Sequence, residues 1–147
     1  MMSLEDTLAI HEMIAQYSYA YDRKDADGFA QVFVDNGVFE IFVPGQTMPV
    51  VRLQSRQAIR AWAAQRLHAR LGRFTSRHYQ AGMLFDALTA EEARVRVMLL
   101  VTRQDATETP PSVHLTGVYH DVWRKTPEGW RLAPRAASAD RDPGFAP

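Results

Sequence analysis

Cysteine is absent from the chain. Its absence excludes a disulfide framework, a thiolate nucleophile and a cysteine-ligated metal. Long apolar runs are absent too: no stretch approaches the roughly 20 residues of a membrane-spanning helix. The opening MMSLEDTLAI has no basic region followed by an apolar core, so no signal peptide is expected and the default compartment is the cytoplasm. Charge of either sign is not in excess, because 17 basic and 17 acidic side chains cancel. A nucleic acid or an anionic membrane would call for a basic excess, which argues against both as partners. No HExxH, Walker or Gly-x-Gly-x-x-Gly pattern occurs, and no serine sits in a recognisable nucleophile motif. His114 and His120 stand 6 residues apart on a strand, too far to share an ion without help, so neither a metal nor another cofactor is expected.

What is present is a globular composition. With 46% hydrophobic residues, a chain of 147 residues can bury a sizeable core. One domain is expected over 1–147, with its core over about 4–138 and an irregular tail over 139–147. Ser3 is a plausible N-cap for a first helix ending at Tyr21 or Asp22, with Asp6 as its capping-box partner. A second, short helix is expected over Asp27 to Val34, burying Phe29, Val32 and Phe33. Asn36-Gly37 reads as a turn, and Val38 to Val43 as a strand. Ser55 caps a third helix that ends near Gly72. Four strands follow, at Arg73–Leu88, Ala93–Arg103, Val113–Arg124 and Trp130–Ala137. A polar connection, Gln104 to Pro111, joins the second and third of these. Segregated helices and a run of antiparallel strands make an α+β domain. A sheet that closes over three helices has to curve, and a cavity between the layers is where a ligand would sit.

The stretch from Ile10 to Phe42 draws attention to that cavity. Ile10, Ile14, Tyr17 and Tyr21 share one helical face. This face turns from aliphatic to phenolic and ends in Asp22. Such a face can line a pocket, or it can be core with its hydroxyls at the rim. Trp62 on the third helix and Phe39 on the first strand are further candidates for the cavity wall, with simple core packing the plain alternative for Trp62, Trp123 and Trp130.

Several segments carry a family resemblance together. They are Tyr21-Asp22 after the first helix, the acidic and aromatic DGFAQVFVDNGVF, Arg77-His78-Tyr79 at the start of a long strand, and GVYHDVWRKTPEGWRL near the end. In order and spacing the chain resembles the SnoaL-like, scytalone dehydratase-like branch of the nuclear transport factor two-like superfamily, from about Leu4 to Arg135. The resemblance implies a cone-shaped curved antiparallel sheet wrapped around three helices. It also implies a cofactor-free lyase, with the dyad acid at Asp22, the catalytic histidine at His78, and an assisting phenol at Tyr21 or Tyr17. Tyr119 and Arg135 fall where relatives contact substrate. Scytalone dehydratase pairs its aspartate with a histidine on a later strand. Here that stretch, VMLLVTRQD, has Arg103 and no histidine, so the single Asp-His arrangement of the dehydrochlorinases is the one matched.

The residue types suit the chemistry on their own terms. A β-elimination needs a base of near-neutral pKa to take a proton from carbon, and histidine ordinarily titrates near 6.5. A carboxylate can fix its tautomer and stabilise the imidazolium. A phenol or guanidinium can support the oxyanion or the leaving group. The expected activity is therefore dehydratase-type elimination on a small hydrophobic, oxygenated, cyclic substrate. Isomerase or polyketide cyclase activity is the runner-up within the enzymes, though a carboxylate base within the sheet would be wanted, and only Asp121 shares the strand parity of Tyr119. A non-catalytic binding module, like a dioxygenase small subunit, is the alternative outside them. His78 bonded to backbone, Asp22 as a helix-end turn residue and Arg135 at the surface are the bland readings of the site. If Tyr119 faces inward, Val113 and Leu115 do too. His114, Thr116, Val118, His120 and Val122 then face outward, a strip suited to a homo-oligomer, dimer or trimer.

Overall fold

In the computed structural model, residues 3–105, 107 and 110–145 are described. The elements in chain order are α1 (Leu4–Asp22), α2 (Ala26–Gln31), β1 (Phe33–Phe42), β2 (Val51–Gln54), α3 (Arg56–His68), β3 (Phe74–Leu88), β4 (Glu92–Asp105), β5 (Ser112–Thr126) and β6 (Gly129–Ala139). The sheet order is β2-β1-β6-β5-β4-β3. Three helices and a curved, unclosed six-stranded sheet make the expected α+β cone. Four of the pairings are antiparallel, whereas β1 and β6 run parallel. The first long strand is thereby joined to the last.

Capping sets both long helices. Ser3 accepts the Asp6 amide and Asp6 accepts the Ser3 amide, a reciprocal box. Ser55 accepts the Ala58 amide at the start of α3. Each such cap contributes roughly 1 kcal/mol. At the end of α1 the Lys24 amide returns to the Tyr21 carbonyl and the Asp25 amide to that of Ala20, with Lys24 at φ +64°. That is a Schellman closure with lysine where glycine is usual. Asp25 at once caps α2 through the Gly28 amide at 2.8 Å. The turn after α1 thus satisfies its own backbone, and Asp22 is not consumed by it.

Some boundaries differ from the sequence reading. The second helix stops at Gln31, because Val32 and Phe33 turn into the core and Phe33 already opens β1. Asn36-Gly37 is not a hairpin turn. It lies inside β1, in the register shift between Phe33 and Val38. The third helix ends at His68, followed by turns up to the positive-φ Gly72. Ser138, beyond the expected last strand, and Ala139, expected in the irregular tail, extend β6, and Gln104 and Asp105 belong to β4. Ala106, Glu108 and Thr109 of the expected connection, and the tail residues Ala146 and Pro147, lie outside the described residues.

The alternation of β4 holds: Val95, Val97, Leu99 and Val101 are buried against the helices. That of β5 fails at one place. Leu115 pairs with Val101 but Val113 pairs with Thr102, so His114 is an extra residue in the strand. A bulge flips strand parity beyond it. Val113, expected inside, is 65% exposed, and His114, expected outside, lines a cavity.

Candidate active site

The site is built where the end of α1 lies along β3. On α1, Ile14, Ser18 and Asp22 succeed one another at four-residue steps, about 6 Å of rise each. On β3, Ser76, His78 and Gln80 succeed one another at two-residue steps, about 6.6 Å each. The matching repeats let a polar line on the helix meet a polar line on the strand. Gln80 Nε2 donates to Ser18 Oγ at 2.8 Å and to the Ile14 carbonyl at 3.2 Å. One turn on, Asp22 Oδ1 accepts from Ser76 Oγ at 2.9 Å and meets His78 Nδ1 at 2.6 Å, while its Oδ2 accepts the His78 backbone N–H at 2.8 Å.

Asp22 sits in a costly position. It is buried and lies in the last turn of α1, at the negative end of the helix dipole, with no basic residue in that turn. A carboxylate is disfavoured there by the helix dipole, and burial without partners would add to the cost. The three donors from β3 offset both effects. A carboxylate only accepts, so the proton between it and the imidazole belongs on Nδ1, and in the neutral ring Nε2 then carries a free lone pair. Among the described residues Nε2 forms no hydrogen bond. The His78 ring stands edge-on to Tyr21, centroids 4.9 Å apart.

His78 opens onto a cavity between helices and sheet. Its atom-free space is about 490 Å³, counting the opening to solvent. Tyr17, Tyr21, Phe39, Trp62 and Tyr119 line it together with His78. The sequence candidates are thus brought together, with Asp22 one step behind His78. The phenols differ in setting. Burial pushes the Tyr17 hydroxyl above its usual range, although Arg135 opposes the shift, and burial pushes that of Tyr119 well above. Both therefore stay protonated near neutrality and can donate hydrogen bonds. Tyr21 accepts from Arg70 Nη1 at 3.0 Å.

Arg135 is the exception. The sequence reading put it in contact with substrate, but it is fully buried behind the cavity wall. Its Nε and Nη2 hold the two oxygens of Asp121 at 2.8 and 2.7 Å, and Nη2 also donates to Gln80 Oε1 at 3.1 Å. Its guanidinium lies 4.2 Å from the Tyr17 ring centroid and 3.9 Å from that of Tyr119. Paired with a carboxylate and clamped between two rings, it orients the phenols and does not reach the cavity.

Ser76 and Gln80 escaped the sequence reading, although their signal was there. They stand two residues before and after His78, on the same strand face. Asp121 had been noted only for its parity with Tyr119. Its pairing with Arg135 joins β5 to β6 directly opposite, a relation that needs the register.

The SnoaL-like domain profile matches residues 2–136, and the chain belongs to that family, a branch of the nuclear transport factor two-like superfamily. No curated protein sequence matches the chain. Among solved structures, a Mycobacterium tuberculosis protein of unknown function is similar at 28% identity and TM-score 0.77, over 98% of this chain and 84% of its own. A Novosphingobium aromaticivorans protein, named as a candidate scytalone dehydratase, is similar at 23% identity and TM-score 0.74, over 92% and 85%. The beta subunit of a candidate aromatic-ring-hydroxylating dioxygenase from the same organism is similar at 18% identity and TM-score 0.74, over 90% and 87%. The last two share the fold, and their stated activities differ.

Proposed function

We propose that the chain is a cofactor-independent lyase, working as one domain, that removes water from a small hydrophobic, oxygenated ring substrate. The observation that carries this reading is the 2.6 Å contact between Asp22 and the Nδ1 of a histidine whose other face opens on a phenol-lined cavity. His78 Nε2 takes the proton from the carbon next to a carbonyl. The electron pair left on that carbon delocalises onto the carbonyl oxygen, where a hydrogen bond from Tyr17 or Tyr119 stabilises it. Asp22 stabilises the imidazolium through Nδ1–H. The electron pair then returns to form the carbon–carbon double bond as the β-hydroxyl departs. That hydroxyl takes up the proton held by His78 and leaves as water, so the base is regenerated.

The test is a panel of small cyclic hydroxy-ketones, β-hydroxy thioesters and halogenated rings in deuterated water, followed by mass spectrometry. The expected outcome is exchange at the acidic carbon with loss of water from at least one member. Substituting His78→Ala should slow exchange about 10²–10⁴-fold, the usual worth of a general base. Exchange without loss of a leaving group would redirect the reading to an isomerase or cyclase using the same base. No exchange or binding across the panel would favour a non-catalytic module.

A further inference from the structure

Beyond Tyr21 and His78 the apolar cavity continues into a second chamber, about 400 Å³ of atom-free space counting its opening to solvent, and the two share Tyr21, Arg66, His78, Leu115 and Phe145 as walls. The second chamber has the opposite character. Arg66 arrives from α3, Arg70 from the turn after it, Arg103 from β4 and His114 from the bulge in β5. No carboxylate is among its described lining residues.

These cations are held mainly by groups that leave their charge uncancelled. The Arg66 guanidinium lies over Trp62 and Phe145 at 5.3 and 5.6 Å. Arg103 stacks on Phe74 at 3.7 Å, and Arg70 stands 5.7 Å from the same ring. Arg70 also donates to a neutral hydroxyl, Tyr21. Arg141 donates to the His114 carbonyl at 2.7 Å and brings a further cation to the rim. The nearest carboxylates are engaged elsewhere or weakly placed. Asp22 is taken up by Ser76 and His78, and Asp105 stands 3.5 Å from Arg103 Nε. That Nε is buried and has no hydrogen-bond partner. The field is felt inside the chamber: burial first, then Arg103, Arg141, Arg70 and Arg66, hold His114 below its usual range.

Guanidinium groups cannot discharge by losing a proton near neutrality, so converging them around a partly enclosed space is unfavourable until an anion enters. Planar forks suit a carboxylate, with which they form charge-assisted bonds. We propose that this chamber receives the carboxylate of the substrate while the apolar cavity receives its ring, which makes the substrate class a small ring-bearing acid. The inference rests on the active-site reading for its orientation, since a carboxylate held there places the adjoining ring against His78. It concerns binding alone, however, and is tested without turnover.

The probes are 1-naphthoate and its uncharged isostere 1-naphthamide, neither of which has a β-leaving group. Their affinities are compared by titration calorimetry at neutral pH. The expected result is that the acid binds at least about tenfold more tightly than the amide, equivalent to about 1.4 kcal/mol. Arg70→Gln and Arg66→Gln should each collapse that ratio, Arg70→Lys should retain part of it, and Arg94→Gln, on the outer face of β4, should leave it unchanged. Because the ratio is taken within one variant, a general loss of folding would weaken both probes and is separately visible in thermal melts. His78→Ala should keep the ratio, so failure of the proton-transfer reading would not affect it. Equal binding of acid and amide by the unaltered protein, or an undiminished ratio in both glutamine variants, would overturn the proposal.

Discussion

Asp22 and His78 are joined twice, once through the side chain at 2.6 Å and once through the backbone N–H at 2.8 Å, with a different carboxylate oxygen in each contact. The backbone contact fixes where the carboxylate lies, and the side-chain contact fixes how the imidazole faces. Asn in place of Asp22 can keep its oxygen on the backbone N–H only by turning its amide donor toward Nδ1. The imidazole must then carry its proton on Nε2, toward the cavity. Asp22→Asn should therefore lower exchange activity by at least about 10²-fold without unfolding the protein. Adding His78→Ala should cost little more, because residues acting as a unit do not lose their effects independently. Single-turnover exchange by the two single variants and the double variant measures this. Additive losses would mean that Asp22 acts on the reaction without His78.

The tyrosines should separate by setting. Tyr119→Phe and Tyr17→Phe each remove a phenol that burial keeps protonated, and one of them should lower kcat about 10-fold or more, as expected for an oxyanion donor. Tyr21→Phe removes the acceptor of the Arg70 hydrogen bond and should alter KM more than kcat. Steady-state kinetics on the best panel substrate would resolve the two patterns, and a kcat loss confined to Tyr21→Phe would reverse the assignment.

The buried Arg135–Asp121 pair should reveal itself in stability. Removing one partner leaves an uncompensated buried charge, which costs about 3–5 kcal/mol. Asp121→Asn and Arg135→Met should each lower stability toward that extent in urea unfolding. The double replacement Asp121→Leu with Arg135→Met should recover much of the loss, because two apolar side chains need no partners. No recovery would show that the phenol rings packed on Arg135 depend on its charge.

Acid should act partly through Asp6. Its carboxylate accepts from Lys125 Nζ and Trp130 Nε1, both at 2.8 Å, and from the Ser3 amide. Lys125 most, then Trp130 and Ser3, hold it well below its usual 3.8. A carboxylate whose folded pKa is depressed contributes stability above its unfolded pKa and loses it as the pH falls. The Tm gap between the natural protein and Asp6→Asn should be full above about pH 5 and close progressively below about pH 4. A gap that persists unchanged down to about pH 2 would locate the effect in the capping geometry, not the charge.

Sequence and structure agree most closely where the determining signals are local. Ser3 and Asp6, Ser55, and the alternation of Val95 to Val101 are short-range features, and each could be read in place. The Asp22–His78 pairing came from resemblance, since nothing near either residue states which strand will lie beside α1. What escaped was fixed by partners distant in sequence. The β5 bulge that turns His114 inward depends on how β4 is registered against it. The shift that absorbs Asn36-Gly37 depends on β6. The retreat of Arg135 behind the cavity wall depends on Asp121 across the register. The arginine chamber gathers its cations from α3, the turn after it, β4 and β5, and no window of the sequence contains it.

The parallel pairing of β1 with β6 has a consequence for how the protein is made. Phe39 finds its neighbour at Arg135 only after all the elements between them have been made. Until then α1 and α2 have only the β1–β2 pair to pack on, and the β6 side of β1 is open. Contacts so distant in sequence slow folding, because the loop between them must be ordered before it is rewarded. During synthesis the β6 side of β1 therefore waits for a strand made about 90 residues later, while Phe29, Phe33 and Phe39 have only one another, α1 and α3 to pack on. That interval is when the chain is most open to aggregation and most in need of a chaperone.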